Sequence, residues 1–224
     1  VFAYLPSAVL AGIVIVAGIG LLDIGEFRQL WRYRRIEFWL GVFTGVSVLV
    51  IGMLAGILVA VGLSLLLVVL QASSPHTAIL GRLPGTDTYR DVEDHTDAEV
   101  FPGLVIYRFD APLFFANAGR FRSDIIEAVD EAETPVAVVV VDAESIYDID
   151  STGAQVLLEL LDALDERSIG LVLARVRTEL RDEMESARVD QRLAGDGVFL
   201  EVDDAVTWAL DEEHPPPGAG VPPA

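Results

Sequence analysis

VAVVVVDAESIYDIDSTGAQVLLELL, Val136 to Leu161, decides how this chain folds. Val136 to Val141 are almost continuous β-formers, the pattern of a strand buried on both faces in a parallel sheet. A loop follows from Asp142 to Gly153. Apolar residues then recur at Val156, Leu157, Leu160, Leu161 and Leu164, which is helical spacing. The unit is therefore strand, loop, helix. Asp148, Asp150, Ser151, Thr152 and Gly153 gather where the helix begins, which is read as running from Gln155 to Arg167. Side chains of these types accept hydrogen bonds from the free N–H groups of a first turn. The helix dipole makes the same end hospitable to negative charge, a phosphate included.

The flanking sequence repeats the alternation. Leu104 to Phe109 reads as a strand, Pro112 to Asn117 as a loop, and Phe121, Ile125 and Val129 as the inner stripe of a helix. Downstream, Ile169 to Ala174 is a second apolar strand. Thr178 to Ala187 is a helix with Leu180 and Met184 inward. Val198 to Leu200 is a short strand, and Asp203 caps a last helix ending near Leu210. Alternating strands and helices predict an α/β domain over 102–212, a mostly parallel sheet flanked by helices. Residues 73–101 hold Pro75, Gly81, Pro84, Gly85 and many acids, and read as a linker. Asp87, Asp91 and His95 are spaced four apart as metal ligands on a helix would be, but no apolar stripe accompanies them, so a solvated connector is expected. The proline-rich tail, 213–224, reads as disordered by composition.

The first third is of another kind. Leu5 to Leu22 carries no charge and is long enough for a membrane helix. Arg28, Arg32, Arg34 and Arg35 follow in a loop, Gly25 to Arg35, and mark the cytoplasmic side. Trp31, Tyr33 and Trp39 sit where interfacial aromatics do. Phe38 to Leu70 is again free of charge. As one helix it would run about 50 Å, beyond a roughly 30 Å hydrocarbon core. Two spans, 36–51 and 53–71, turning near Gly52 fit better, and they return the chain to the arginine side. Gly41/Gly45 and Gly52/Gly56 have the spacing that allows close helix approach, or are simply the glycines common in membrane helices. The expected organisation is thus membrane α-helical hairpins over 1–72 followed by the α/β domain. Membrane lipid is the first implied partner.

Charge separates the two parts. Residues 1–72 hold three acids against four arginines, and the remainder holds 32 acids against 11 arginines. So acidic a domain repels nucleic acid, whose phosphates need clustered cations. There is no cysteine, which excludes disulfides and thiol chemistry. There is also no lysine. A salt-rich cytoplasm or a GC-rich genome would each account for that.

DIDSTG, Asp148 to Gly153, after an apolar strand resembles the signature loop of STAS domains, which sulfate transporters share with anti-sigma factor antagonists. RFDAPLFFAN, Arg108 to Asn117, is similar to the first-strand region of that domain in bacterial SulP-type permeases. LPSAVLAGIVIVAGIGLLD, Leu5 to Asp23, looks like a late transmembrane helix of the family, and LARV, Leu173 to Val176, fits its next strand. The resemblance runs in order from about Leu5 to Leu210. It implies the C-terminal part of a secondary anion transporter, of the sulfate, bicarbonate or dicarboxylate type. That part would supply gate helices, dimer contacts and a regulatory STAS domain on the cytoplasmic face of the plasma membrane. It also implies an upstream transmembrane core, a homodimer, and a substrate site outside these residues. A membrane-anchored STAS module that binds a kinase or signalling partner, without transport, is the competing reading.

The candidate sites follow from both kinds of reading. Asp148, Asp150, Ser151, Thr152 and Gly153 form a regulatory or partner loop. In the antagonists the serine of the matching motif is phosphorylated, whereas in this sequence Ser151 and Thr152 also suit an ordinary N-cap. Phe114, Phe115 and Asn117 read as a domain or subunit contact, with core packing of a phenylalanine as the alternative. Asp142, Glu144, Asp148 and Asp150 read as a solvated acidic loop rather than a divalent-cation site. No GxGxxG, P-loop, HExxH or GxSxG pattern occurs, so no catalytic residue, cofactor or metal is expected and the protein is read as a non-enzyme.

Overall fold

The computed structural model describes residues 7–20, 24–195 and 197–211. The outer ends of the first apolar run and the proline-rich tail lie outside the described residues. The chain divides into two units, Val1–Val68 and Val69–Ala224.

In the first unit, α1 (Ser7–Gly20) is followed by α2 (Ile24–Tyr33), α3 (Arg35–Ile51) and the start of α4 (Met53–Ala72). Among the described residues α4 is the one helix long and apolar enough to cross a membrane. The stretch expected as a loop, Gly25 to Arg35, is largely the helix α2. Phe27, Leu30 and Trp31 recur on one side while Arg28 and Arg32 take the other, the amphipathic pattern of a helix lying in an interface. That face meets α3: the Phe38 ring stands edge-on to Phe27 and Trp31, at 6.0 and 4.9 Å between centroids. Between α3 and α4 stands Gly52, at φ +93°, a conformation that costs glycine little. The turn brings α4 back onto α3. A Cβ on Gly56 would lie 2.6 Å from the Val48 backbone, so glycine sets how closely the helices approach.

The second unit is an α/β domain. Among the described residues its six strands are β1 (Thr77–Arg82), β2 (Tyr89–Asp91), β3 (Leu104–Phe109), β4 (Val138–Asp142), β5 (Gly170–Ala174) and β6 (Val198–Phe199), in the order β2-β1-β3-β4-β5-β6. β3 to β6 are parallel, and β1 runs antiparallel to both β2 and β3. β4 and β5 are buried along their whole length, as their unbroken apolar runs require. Three helices, α5 (Ala118–Glu131), α6 (Ser151–Asp165) and α7 (Thr178–Ser186), pack on one face. Phe109, Phe121, Ile125, Leu160, Leu164 and Met184 lie at the centre of that layer. The last helix, α8 (Val202–Leu210), covers the other face through Val202, Ala205 and Val206.

Residues 73–101 are not a bare linker. β1 buries Ala78 and Leu80 beside β3, and β2 buries Tyr89, so the sheet begins twenty-five residues before the expected start at 102. The Pro84-Gly85 turn signal is real, but it closes a hairpin, with the Leu83 amide donating to the Thr88 carbonyl at 2.9 Å. Asp203 also departs from expectation. It does not cap α8; its carboxylate accepts the Tyr89 hydroxyl at 2.8 Å and so ties β2 to α8.

Candidate functional site

The signature loop is built by backbone geometry more than by its hydroxyls. α6 starts at Ser151, four residues earlier than Gln155, so Asp150 occupies the N-cap. One carboxylate oxygen of Asp150 accepts the Gly153 amide at 2.6 Å, satisfying a free donor of the first turn. The other accepts the Phe115 amide at 3.0 Å. Ser151 and Thr152 stand in the first turn with exposed side chains. Capping is therefore the work of Asp150, not of the two hydroxyls.

The loop is also stitched to the segment after β3. The Leu113 amide donates to the Asp148 carbonyl at 2.9 Å, and the Asp150 amide returns a bond to the Leu113 carbonyl at 3.1 Å. Leu113 and Ile149 thereby pair as a short parallel bridge. Gly153 is required here: a Cβ would sit 2.6 Å from the Leu113 carbonyl oxygen. From the other side, Glu183 of α7 accepts the Ile149 amide at 3.0 Å. Nothing local in the sequence marks Glu183 for this role.

Phe114, Phe115 and Asn117 separate into different environments. Phe115 is 64 % exposed and Phe114 half-buried, with their rings edge to face. Asn117 is wholly buried and serves its own chain. Its amide oxygen accepts the Phe114 N–H at 2.9 Å. Its amide nitrogen donates to the carbonyls of Pro112 at 2.9 Å and of Ala72, the last residue of α4, at 3.3 Å.

The acidic cluster is not uniformly solvated. Asp142 is wholly buried at the end of β4 and is gripped by both Nε and Nη2 of Arg175, whose Nη1 reaches Glu144 at 2.7 Å. Arg175 holds φ +59°, which costs a non-glycine residue energy that the fork-to-carboxylate contact offsets. Burial works against its charge, but the hydrogen bonds and attraction of Asp142, then Glu144 and Glu201, keep its pKa above the ordinary arginine value. Arg175, Arg108 and Arg90 line a polar cavity of about 560 Å³ with five acids, among them Asp110 and Glu144. Arg175 is already matched, Arg108 lies 3.4 Å from Asp110, and carboxylates outnumber cations, so the cavity does not suit an anion. Among the described residues no group of three or more carboxylates or histidines is placed to hold a metal ion.

A mixed sheet with its helices unequally divided, a capped signature loop, and a preceding run of lipid-suited helices define a membrane-linked STAS protein. The STAS domain profile matches residues 95–205 and the sulfate permease family profile residues 1–44. The chain belongs to the sulfate permease (SulP) family and carries its late helical segment and STAS domain. A probable sulfate transporter of Mycobacterium tuberculosis is 38 % identical over 204 residues, covering 91 % of this chain and 36 % of the relative. High affinity sulfate transporter 2 of Stylosanthes hamata is 33 % identical over 215 residues, covering 92 % and 32 %. Murine Solute Carrier 26 family member A9, an anion transporter in the inward-facing state, superposes with a TM-score of 0.79 at 23 % identity, over 92 % of this chain and 34 % of that one. The chain thus spans about a third of the length of these proteins.

Proposed function

We propose that this chain works as part of a secondary active anion transporter of the sulfate, bicarbonate or dicarboxylate type. It contributes gate helices, dimer contacts and a regulatory STAS domain. The observation that carries this reading is order within one chain: a sulfate permease segment first, a STAS domain second, joined through α4. The names of the relatives support an anion as substrate. In this reading the substrate site belongs to helices other than those described.

In this reading the protein is a multi-pass plasma-membrane homodimer, not an enzyme, and its STAS domain is cytoplasmic. The arginines of α2 support that side. The loop Asp148–Gly153 is the regulatory input. Exposure of Ser151 and Thr152 favours a partner or a phosphoryl group arriving there. Phe115 is the contact surface for another domain or subunit, while Asn117 works behind it. Uptake of labelled sulfate, bicarbonate and a dicarboxylate into proteoliposomes holding the complete protein tests the reading. Saturable uptake of at least one is expected, and none above empty liposomes would refute it. A cysteine replacing the exposed Ser168 should resist an impermeant thiol reagent in intact cells; labelling without lysis would overturn the topology.

A further inference from the structure

We infer that Asp150 and Asn117 are positioning residues of a hydrogen-bond relay running from the signature loop to the last residue of α4. The inference deepens the regulatory reading of that loop and rests on it for its purpose, though not for its geometry.

The path is continuous. Asp150 divides its carboxylate between two donors on different segments: Gly153 at the start of α6 and Phe115 in the Pro112–Asn117 loop. One residue before Phe115, the Phe114 amide donates to the Asn117 side chain. The same side chain then donates to the Ala72 carbonyl. Ala72 is the end of the apolar helix, where a helix has carbonyls with no partner of its own. Asn117 supplies one. Neighbouring contacts hold the path: Leu113 pairs with Ile149, Gly153 lies close against the Leu113 carbonyl, and Pro112 shares the Asn117 amide. The Asn117 side chain, wholly buried with its oxygen and nitrogen both engaged, has few alternative arrangements. Displacing Asp150 therefore shifts Phe115, and with it the ligand that Asn117 presents to Ala72.

The chemistry also says what would operate the relay. Ser151 and Thr152 follow Asp150 directly and are exposed. A dianion on either hydroxyl repels the Asp150 carboxylate and competes for the same first-turn amides. Asp150 is then drawn off Phe115 or off Gly153. A cap serving only α6 would have no such consequence at Ala72.

Asp150→Asn separates the two roles. Asparagine is as good an N-cap as aspartate, but it has one acceptor oxygen instead of two. The Gly153 bond survives, and an amide NH2 now faces the Phe115 N–H. The test is hydrogen exchange, read by mass spectrometry on the complete protein in nanodiscs. Wild type is set beside Asp150→Asn and Asn117→Ala. The relay predicts that Asp150→Asn speeds exchange about three- to tenfold at Phe115 and at Ser73 and Ser74 just past α4, with Gly153 still protected. Asn117→Ala should speed Ser73 and Ser74 and leave Gly153 unchanged. Faster exchange at Phe115 alone, with Ser73 and Ser74 as in wild type in both variants, would overturn the relay. If Asn117→Ala does not fold, Asp150→Asn still decides. The regulatory reading fails separately, if Ser151→Asp leaves anion uptake unchanged while the exchange pattern holds.

Discussion

The two units use the same residue types to opposite ends. In α3 and α4, Leu49 and Leu54 are 86 % and 76 % exposed, and the described helices bury little beyond Ser47 and Gly56. In the α/β unit, Leu160, Leu161 and Leu164 on a helix of similar length are essentially sealed. Exposed leucine at that density is untenable in water and ordinary in lipid. Small residues mark the interior of the first unit and large ones its outside, the reverse of the second. Composition alone therefore reveals the solvent of each unit, while the contacts that join elements have to be found in space.

The largest expected effect comes from where the second unit begins. A fragment starting at 102 lacks β1 and β2 and bares one edge of β3. Removing Ala78, Leu80 and Tyr89 from the core costs on the order of 5 kcal/mol, taking about 1.5–3 kcal/mol per large side chain. Residues 73–212 should melt cooperatively, and 102–212 should melt far lower or not fold. Equal melting temperatures would show that the hairpin is an accessory.

Next in size is the Asp142–Arg175 pair. Arg175→Ala takes the paired cation from a wholly buried carboxylate and removes the contact that offsets a left-handed backbone position. Urea melts should register a loss of about 3 kcal/mol. A loss under about 1 kcal/mol would mean that water reaches Asp142.

The caps come third. Asp150→Ala should cost about 0.5–2 kcal/mol, whereas Ser151→Ala and Thr152→Ala should each stay within about 0.5 kcal/mol. The reverse ranking would return the capping role to the hydroxyls.

The smallest effect is on the alkaline limb. Burial, then the nearby charge and hydrogen bond of Asp124, push the Tyr107 phenol above its ordinary range. The folded state therefore keeps this proton after the unfolded chain has lost it. The stabilising difference is intact below about pH 10 and drains away as pH rises beyond that value. With no lysine in the chain, side-chain titration there reports tyrosines alone. Tyr107→Phe should flatten the fall in melting temperature between about pH 10 and 12; an unchanged slope would rule Tyr107 out as its source.

The α/β class was legible because β4 and β5 carry unbroken valine and leucine, and because α6 and α7 keep a clean stripe. β1 and β2 were hidden. Each is short, Pro84, Gly85 and Asp87 stand between them, and their burial depends on β3 and α8, which are distant in sequence. α2 was masked by its arginines, although Phe27, Leu30 and Trp31 carried the period. At the site, the loop itself could be read, but not the division of labour within it. Ser, Thr and Gly are poor helix formers, which delayed the apparent start of α6 to Gln155. The backbone begins the helix at Ser151 because Gly153 lets it press against Leu113. The partners Asn117–Ala72, Glu183–Ile149 and Arg175–Asp142 are each more than thirty residues apart and leave no local signature.

Anion uptake by wild type and Asp150→Asn, in proteoliposomes matched for protein density and melting temperature, decides whether the loop speaks to the membrane helices. The regulatory reading of the loop predicts a several-fold change in initial rate at unchanged stability. Identical rates, with the Phe115 amide demonstrably released, would contradict it.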